Sequence, residues 1–216
     1  MYGMMGNQSE AYDASFSASI ARHLFMPLGQ NGLADLSAIN IHRGRDHGLP
    51  SYMKWRSNFC KNLEYADENG DVHTIRDWED LVKSKQMSEK TVENLKKVYN
   101  SIHDIDIFVG GVSEKSDGEK VVGKTFGCII KKQFEDLFKG DRYFYTNFMF
   151  NYNQYLSIKN VNMRQIICDN LEGITSLHDN PFVAFKSSNN RRACVKDFTD
   201  ANYEGVNLDL WKDTSY

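Results

Sequence analysis

Proline is scarce in this chain. Only Pro27, Pro50 and Pro181 occur among its 216 residues, so helices can run with few enforced breaks. No apolar stretch approaches the roughly 20 residues that cross a bilayer as a helix. The start, Met1-Tyr-Gly-Met-Met-Gly-Asn7, lacks a basic region followed by an apolar one and does not read as a signal peptide. Positive charge is not in excess: the net charge is −3, which gives no reason to expect nucleic acid or an anionic membrane as partner. Internal repeats, low-complexity tracts and linkers are absent. Cysteine is limited to Cys60, Cys128, Cys168 and Cys194, with no CxxC or other zinc-like spacing, so a structural metal site is not expected. On the residues alone these are either buried free thiols or two disulfides in any of three pairings.

What is present is an ordinary globular mix, 41% hydrophobic and 25% charged, long enough for one domain with a real core. The apolar spacing predicts a mainly α fold with much ordered loop. Residues 12–26 carry Phe16, Ile20 and Leu24 at four-residue intervals, with Pro27 as a stop and a Gly-rich loop at 29–32. Asp35 is placed to cap a short helix bearing Leu36, Ile39, Asn40 and Arg43 on one side, punctuated by Gly44 and Gly48. Residues 51–60 place Tyr52, Trp55 and Phe59 on one helical face, and 61–73 read as loop. Thr74 with Asp77 resembles a capping box ahead of Trp78 and Leu81. Ser88 opens an amphipathic helix with Val92, Leu95 and Val98 or Tyr99 inside. Asp104 to Gly111 alternates briefly and suggests an extended segment ended by two glycines. Residues 123–139 place Phe126, Ile130, Phe134 and Leu137 along one stripe, with Gly140 as terminator. Helices are expected over 151–158 and 160–169, then an irregular tail from 175.

The densest polar cluster is Asn40-Ile-His-Arg-Gly-Arg-Asp-His-Gly48. Its structural reading pairs Asp46 with an arginine, has it cap backbone N–H groups, and satisfies His47 within the turn. Its functional reading uses Asn40 and Arg43, three apart and hence on one side of a helix. There an amide beside a guanidinium can orient a ligand and pair with its carboxylate.

Ala38-Ile-Asn-Ile-His-Arg-Gly-Arg-Asp-His-Gly-Leu-Pro50 resembles the "ALNIQRGRDHGLP" signature of the animal haem peroxidases, with His42 where Gln is usual. Further blocks follow in family order. Tyr52 with Trp55-Arg56 and Phe59-Cys60 resembles "GYNxWRxFC", and 104–114 resembles "DIDLFVGGLSE". Residues 126–130 with Gln133-Phe134 resemble "CIIxxQF", 140–145 resemble "GDRFWYE", and 166–170 with Gly173-Ile174 resemble "IICDNTGI".

The resemblance implies the C-terminal portion of a haem peroxidase catalytic domain, with 1–216 as a single partial domain and little or no sheet. The complete enzyme would reduce hydrogen peroxide and oxidise a small-molecule donor or halide. The resemblance implies that Asn40 accepts a hydrogen bond from the proximal histidine and that Arg43 pairs with a haem propionate. Leu36 and Ile39 would add apolar wall, or simply core. It also implies the disulfides Cys60–Cys128 and Cys168–Cys194, each stabilising by roughly 3–4 kcal/mol, and a secretory-pathway or extracellular location. Asn7-Gln-Ser9 matches a glycosylation acceptor.

The family's proximal and distal histidines, distal arginine, haem-esterifying carboxylates and calcium loop lie upstream of this segment. His23, His42, His47, His73, His103 and His178 are not expected to replace them. The chain is therefore expected to bind haem weakly or not at all and to be inactive without the N-terminal half of the domain. The alternative is a non-catalytic interaction or extracellular-matrix module.

Overall fold

The computed structural model describes residues 7, 9–23, 35–61, 63–116, 120–147, 149–183, 191–197 and 199–212. It resolves into two compact units, Ala11–Asp136 and Met1–Glu10 with Leu137–Tyr216. The fold is mainly helical, with two small two-stranded sheets among the described residues. Among the described residues no helix is long and apolar enough to cross a membrane.

In the larger unit α1 is Ala18–His23. Leu24, Pro27 and the loop at 29–32 lie outside the described residues. Helix α2, Leu36–Asp46, starts where Asp35 accepts hydrogen bonds from the backbone N–H groups of Ser37 and Ala38. A cap of this kind contributes about 1 kcal/mol. Tyr52–Lys54 forms α3 and widens into a π turn over Trp55–Phe59, closed by Cys60 N–H donating to the Trp55 carbonyl. The extra residue in that turn rotates Phe59 outward. It lies tilted against Trp55, ring centroids 4.5 Å apart, and is 58% exposed, rather than sharing the buried face of Tyr52.

Residues 61–73 are not all loop: β1 (Tyr65–Ala66) pairs antiparallel with β2 (Val72–His73). Helix α4, Trp78–Lys83, has its capping box one turn later than expected. Asp77 is the cap and Asp80 the reciprocating residue, because Asp80 also bonds the Arg76 N–H and thereby fixes the turn. Helix α5, Glu89–Val98, is capped by Ser88 and buries Val92 and Leu95. Tyr99 follows them into the core, whereas Val98 is 75% exposed.

The expected extended segment at 104–111 is instead a 3-10 turn, Ile102–Asp104, followed by α6, Ile107–Ser113. Its two glycines do not end an element. They let α6 lie against aromatic rings, since a Cβ on Gly110 would sit 2.3 Å from the Tyr52 side chain and one on Gly111 2.0 Å from Phe126. Around this contact lies the core of the unit, including Tyr52, Leu81, Met87, Val92, Ile102 and Ile105. Each such side chain contributes about 1.5–3 kcal/mol on burial.

Helix α7, Lys124–Gly140, includes Gly140 as its last residue. Phe126 packs on the core, but Ile130, Phe134 and Leu137 are 46%, 65% and 55% exposed. The stripe that patterning assigns to a core is mostly a solvent-facing apolar surface. A disulfide joins Cys60 to Cys128, their Cα atoms 6.0 Å apart.

In the second unit α8 (Tyr152–Lys159) and α9 (Met163–Asn170) are capped by Asn151 and Asn162. The tail is less irregular than its composition suggests. Strand β3 (Ser176–His178) pairs with β4 (Arg191–Ala193), and a 3-10 turn covers Leu208–Trp211. A small core of Ile167, Cys168 and Leu177 is closed by the Cys168–Cys194 disulfide. Arg164, 1% exposed, pairs with Glu204 and donates to the Ala193 carbonyl at 3.0 Å.

Candidate functional site

Helix α2 has no fully buried residue. It borders an open cleft of about 520 Å³ that is also lined by residues 104–108 and by Leu49, Pro50 and Ser51. Asn40 and Arg43 both line this cleft, together with the apolar Ile41, Ile105, Ile107 and Phe108. Helical spacing explains their proximity, since positions three apart are neighbours on the helix surface. Leu36 and Ile39 are half-buried on the same helix but are not among the lining residues.

Among the described residues neither the Asn40 amide nor the Arg43 guanidinium has a side-chain hydrogen bond or ion pair with the rest of the chain. Two other polar groups of the motif are engaged, His47 and Arg45. His47 is satisfied locally, its Nδ1 lying 2.9 Å from the Arg43 carbonyl. Among the described residues Asp46 is not paired with an arginine; the His47 ring lies 3.9 Å from it. The arginine pairing falls elsewhere: Arg45 donates through Nε and Nη2 to both oxygens of Asp106, at 2.9 and 2.7 Å. Sixty-one residues separate the two, and no local signal marks them as a pair.

Tyr99 also donates its hydroxyl to Asp106, at 2.7 Å. The Arg45 bonds hold the Asp106 carboxyl below its ordinary range against the opposing effect of burial. Burial, and then the bond to Asp106, pushes the Tyr99 hydroxyl up to about 12.

A second polar cluster lies behind α3. Arg56 Nη1 donates to Glu114 Oε1 at 2.5 Å and to Thr125 Oγ1 at 2.8 Å. Glu114 also accepts from the Tyr52 hydroxyl at 2.6 Å and the Thr125 backbone N–H at 2.8 Å. Burial, and next the Glu114 charge, raises the Tyr52 hydroxyl well above its ordinary value. Every member is satisfied and buried, so this cluster joins α3, α6 and α7 and offers no surface for substrate.

His42 and His103 are exposed, and His73 bonds Asp67 at 2.9 Å in the β1–β2 hairpin. His178 accepts from the Asn180 N–H at 3.1 Å in the other unit, and His23 closes α1. Among the described residues no group of three or more His, Cys, Asp or Glu is arranged to hold a metal ion.

Comparison with known proteins gives a consistent relationship. The family model "Animal haem peroxidase" matches residues 1–182. The peroxidasin homolog pxn-2 of Caenorhabditis elegans is 35% identical over 82% of this chain, which spans 12% of that protein. Myeloperoxidase of Mus musculus is 35% identical over 90% of the chain and is spanned to 25%. Peroxidase A from Dictyostelium discoideum superposes with a TM-score of 0.52 at 33% identity, over 66% of this chain and 25% of the other. The chain thus spans about a quarter or less of each of these relatives, and it belongs to the animal haem peroxidase family.

Proposed function

We propose that this chain is part of a single haem peroxidase catalytic domain and supplies residues that flank the cofactor rather than ligate its iron. The observation that carries this reading is the pairing of an amide and a guanidinium, both without partners among the described residues, on one apolar-walled cleft. The residues fit part of the group: the apolar lining suits a porphyrin edge, and a free guanidinium suits a propionate. Arg43 would hold that carboxylate. The Asn40 carbonyl would accept the N–H of an iron-binding imidazole supplied by other polypeptide, fixing its orientation. Leu36 and Ile39 would serve chiefly as packing behind them. When bound, haem supplies the peroxide-reducing and donor-oxidising chemistry; the chain's own part is to orient it.

By this reading the isolated chain binds haem weakly and is not a peroxidase alone. Peroxide cleavage needs a base, a cation at the leaving oxygen and an axial ligand. Among the described residues that line the cleft His47 is the one histidine, and its Nδ1 lies against the Arg43 carbonyl. The two disulfides support folding in a secretory or extracellular compartment. Titrating the purified chain with haem tests the proposal. The expected result is no saturable Soret band at micromolar haem; one haem per chain at that concentration overturns it.

A non-catalytic interaction module is the second reading. It is favoured by the exposed apolar stripe Ile130, Phe134 and Leu137.

A further inference from the structure

Arg43 and Asp106 line the same cleft. Opposite charges across one cavity would ordinarily attract, and the cavity would then offer a ligand no free cation. Asp106 is engaged from another direction. Arg45, two residues along α2, takes both carboxylate oxygens in a two-toothed contact, and Tyr99 donates a third hydrogen bond to Oδ2. That geometry nearly fills the lone pairs of the carboxylate. The remaining charged or titratable groups are accounted for. Asp104, also on the lining, is solvent-exposed, and His47 is turned to the Arg43 carbonyl.

We infer that Arg45, with Tyr99, is a specificity-determining positioning pair: it neutralises Asp106 and so leaves Arg43, among the described residues, as a cation available in the cleft to a carboxylate-bearing ligand. This rests on the proposed role of Arg43 at a porphyrin carboxylate. Arg45 itself touches no ligand; it is 65% exposed and acts through Asp106. The lowered titration of Asp106 agrees with a carboxylate held in its charged, paired form.

Two measurements on the full chain test it. Without ligand, the Asp106 carboxyl is titrated by carbon-13 NMR. Arg45→Gln should move it up toward the ordinary aspartate value, and Arg43→Gln should leave it in place. A rise in Arg43→Gln shows that Arg43 already pairs with Asp106 and overturns the inference.

With ligand, tryptophan quenching, read above the micromolar range where weak binding registers, compares iron(III) protoporphyrin IX with its dimethyl ester, which has no carboxylate. Arg45→Gln should lower the acid-over-ester preference by up to roughly fivefold, the scale of one exposed charge. Adding Asp106→Asn should restore it, and Arg45→Lys, which keeps the charge, should retain most of it. A preference unchanged in Arg45→Gln overturns this inference alone. A wild-type chain with no preference overturns the role of Arg43 and this inference with it. Unchanged far-UV dichroism in each variant separates these outcomes from unfolding.

Discussion

The Arg56 guanidinium meets the Glu114 carboxylate at 2.5 Å where the two side chains are only 4% and 0% accessible. Tyr52, Thr125 and the Leu63 carbonyl complete the set of partners. Removing one ion would strand the other without water. Arg56→Met and Glu114→Gln are each expected to destabilise the larger unit by about 3–5 kcal/mol. Urea unfolding of the single variants checks this. A loss below 1 kcal/mol in both would mean that the pair is hydrated in solution.

The close approach of α6 to its neighbours yields a sharper contrast. Gly110→Ala should cost about 1–3 kcal/mol, because the new methyl meets the Tyr52 ring at 2.3 Å. Gly127→Ala, in the open face of α7 with nothing within 4 Å, should instead stabilise by up to about 1 kcal/mol. Thermal melts of the two variants should therefore shift in opposite directions.

Acid should loosen the smaller unit through Glu204. Burial works to raise this carboxyl, but hydrogen bonds from Arg164, Asn162 and Arg192 outweigh it and hold the group at about 2. A depressed folded value means that the stabilisation is complete above the ordinary glutamate value of 4.5 and fades as pH falls toward about 2. Hydrogen exchange at 176–178 and 191–193 should accelerate across that window. In Glu204→Gln the same acid step should be absent.

The exposed stripe on α7 should make the chain prone to self-association. Phe134→Ser with Leu137→Ser should reduce binding of a hydrophobic dye and lower the sedimenting mass at high concentration. If neither changes, the stripe is too dispersed to act as a patch.

How much of this was legible depended on how local the cause was. Asp35 and Ser88 were readable as caps because a cap bonds residues two or three positions away. The pairing of Asn40 with Arg43 on one face follows from helix geometry in the same way. The capping box at Asp77 was misplaced by one turn because Thr74 offers the same chemistry; only the Asp80 contact to Arg76 decides between them. Residues 104–111 were misread because Asp-Ile-Asp-Ile alternation mimics a strand. There Asp106 is drawn to Arg45 and Tyr99, and the glycines answer to the rings of Tyr52 and Phe126. Phe59 left its expected face because a π turn shifts the phase by one residue, which no period of 3.6 anticipates. The long-range partners Arg45–Asp106 and Arg56–Glu114 lie 61 and 58 residues apart and left no local trace.

The Cys60–Cys128 bond turns the 69 residues it encloses, counted from 60 through 128, into a covalent ring. The tip of the β1–β2 hairpin, with Asn69 and Gly70 exposed, lies on that ring. A protease nicking the hairpin there would cut the backbone without releasing a fragment. The nicked molecule would migrate as one species until thiols were added, and then as two.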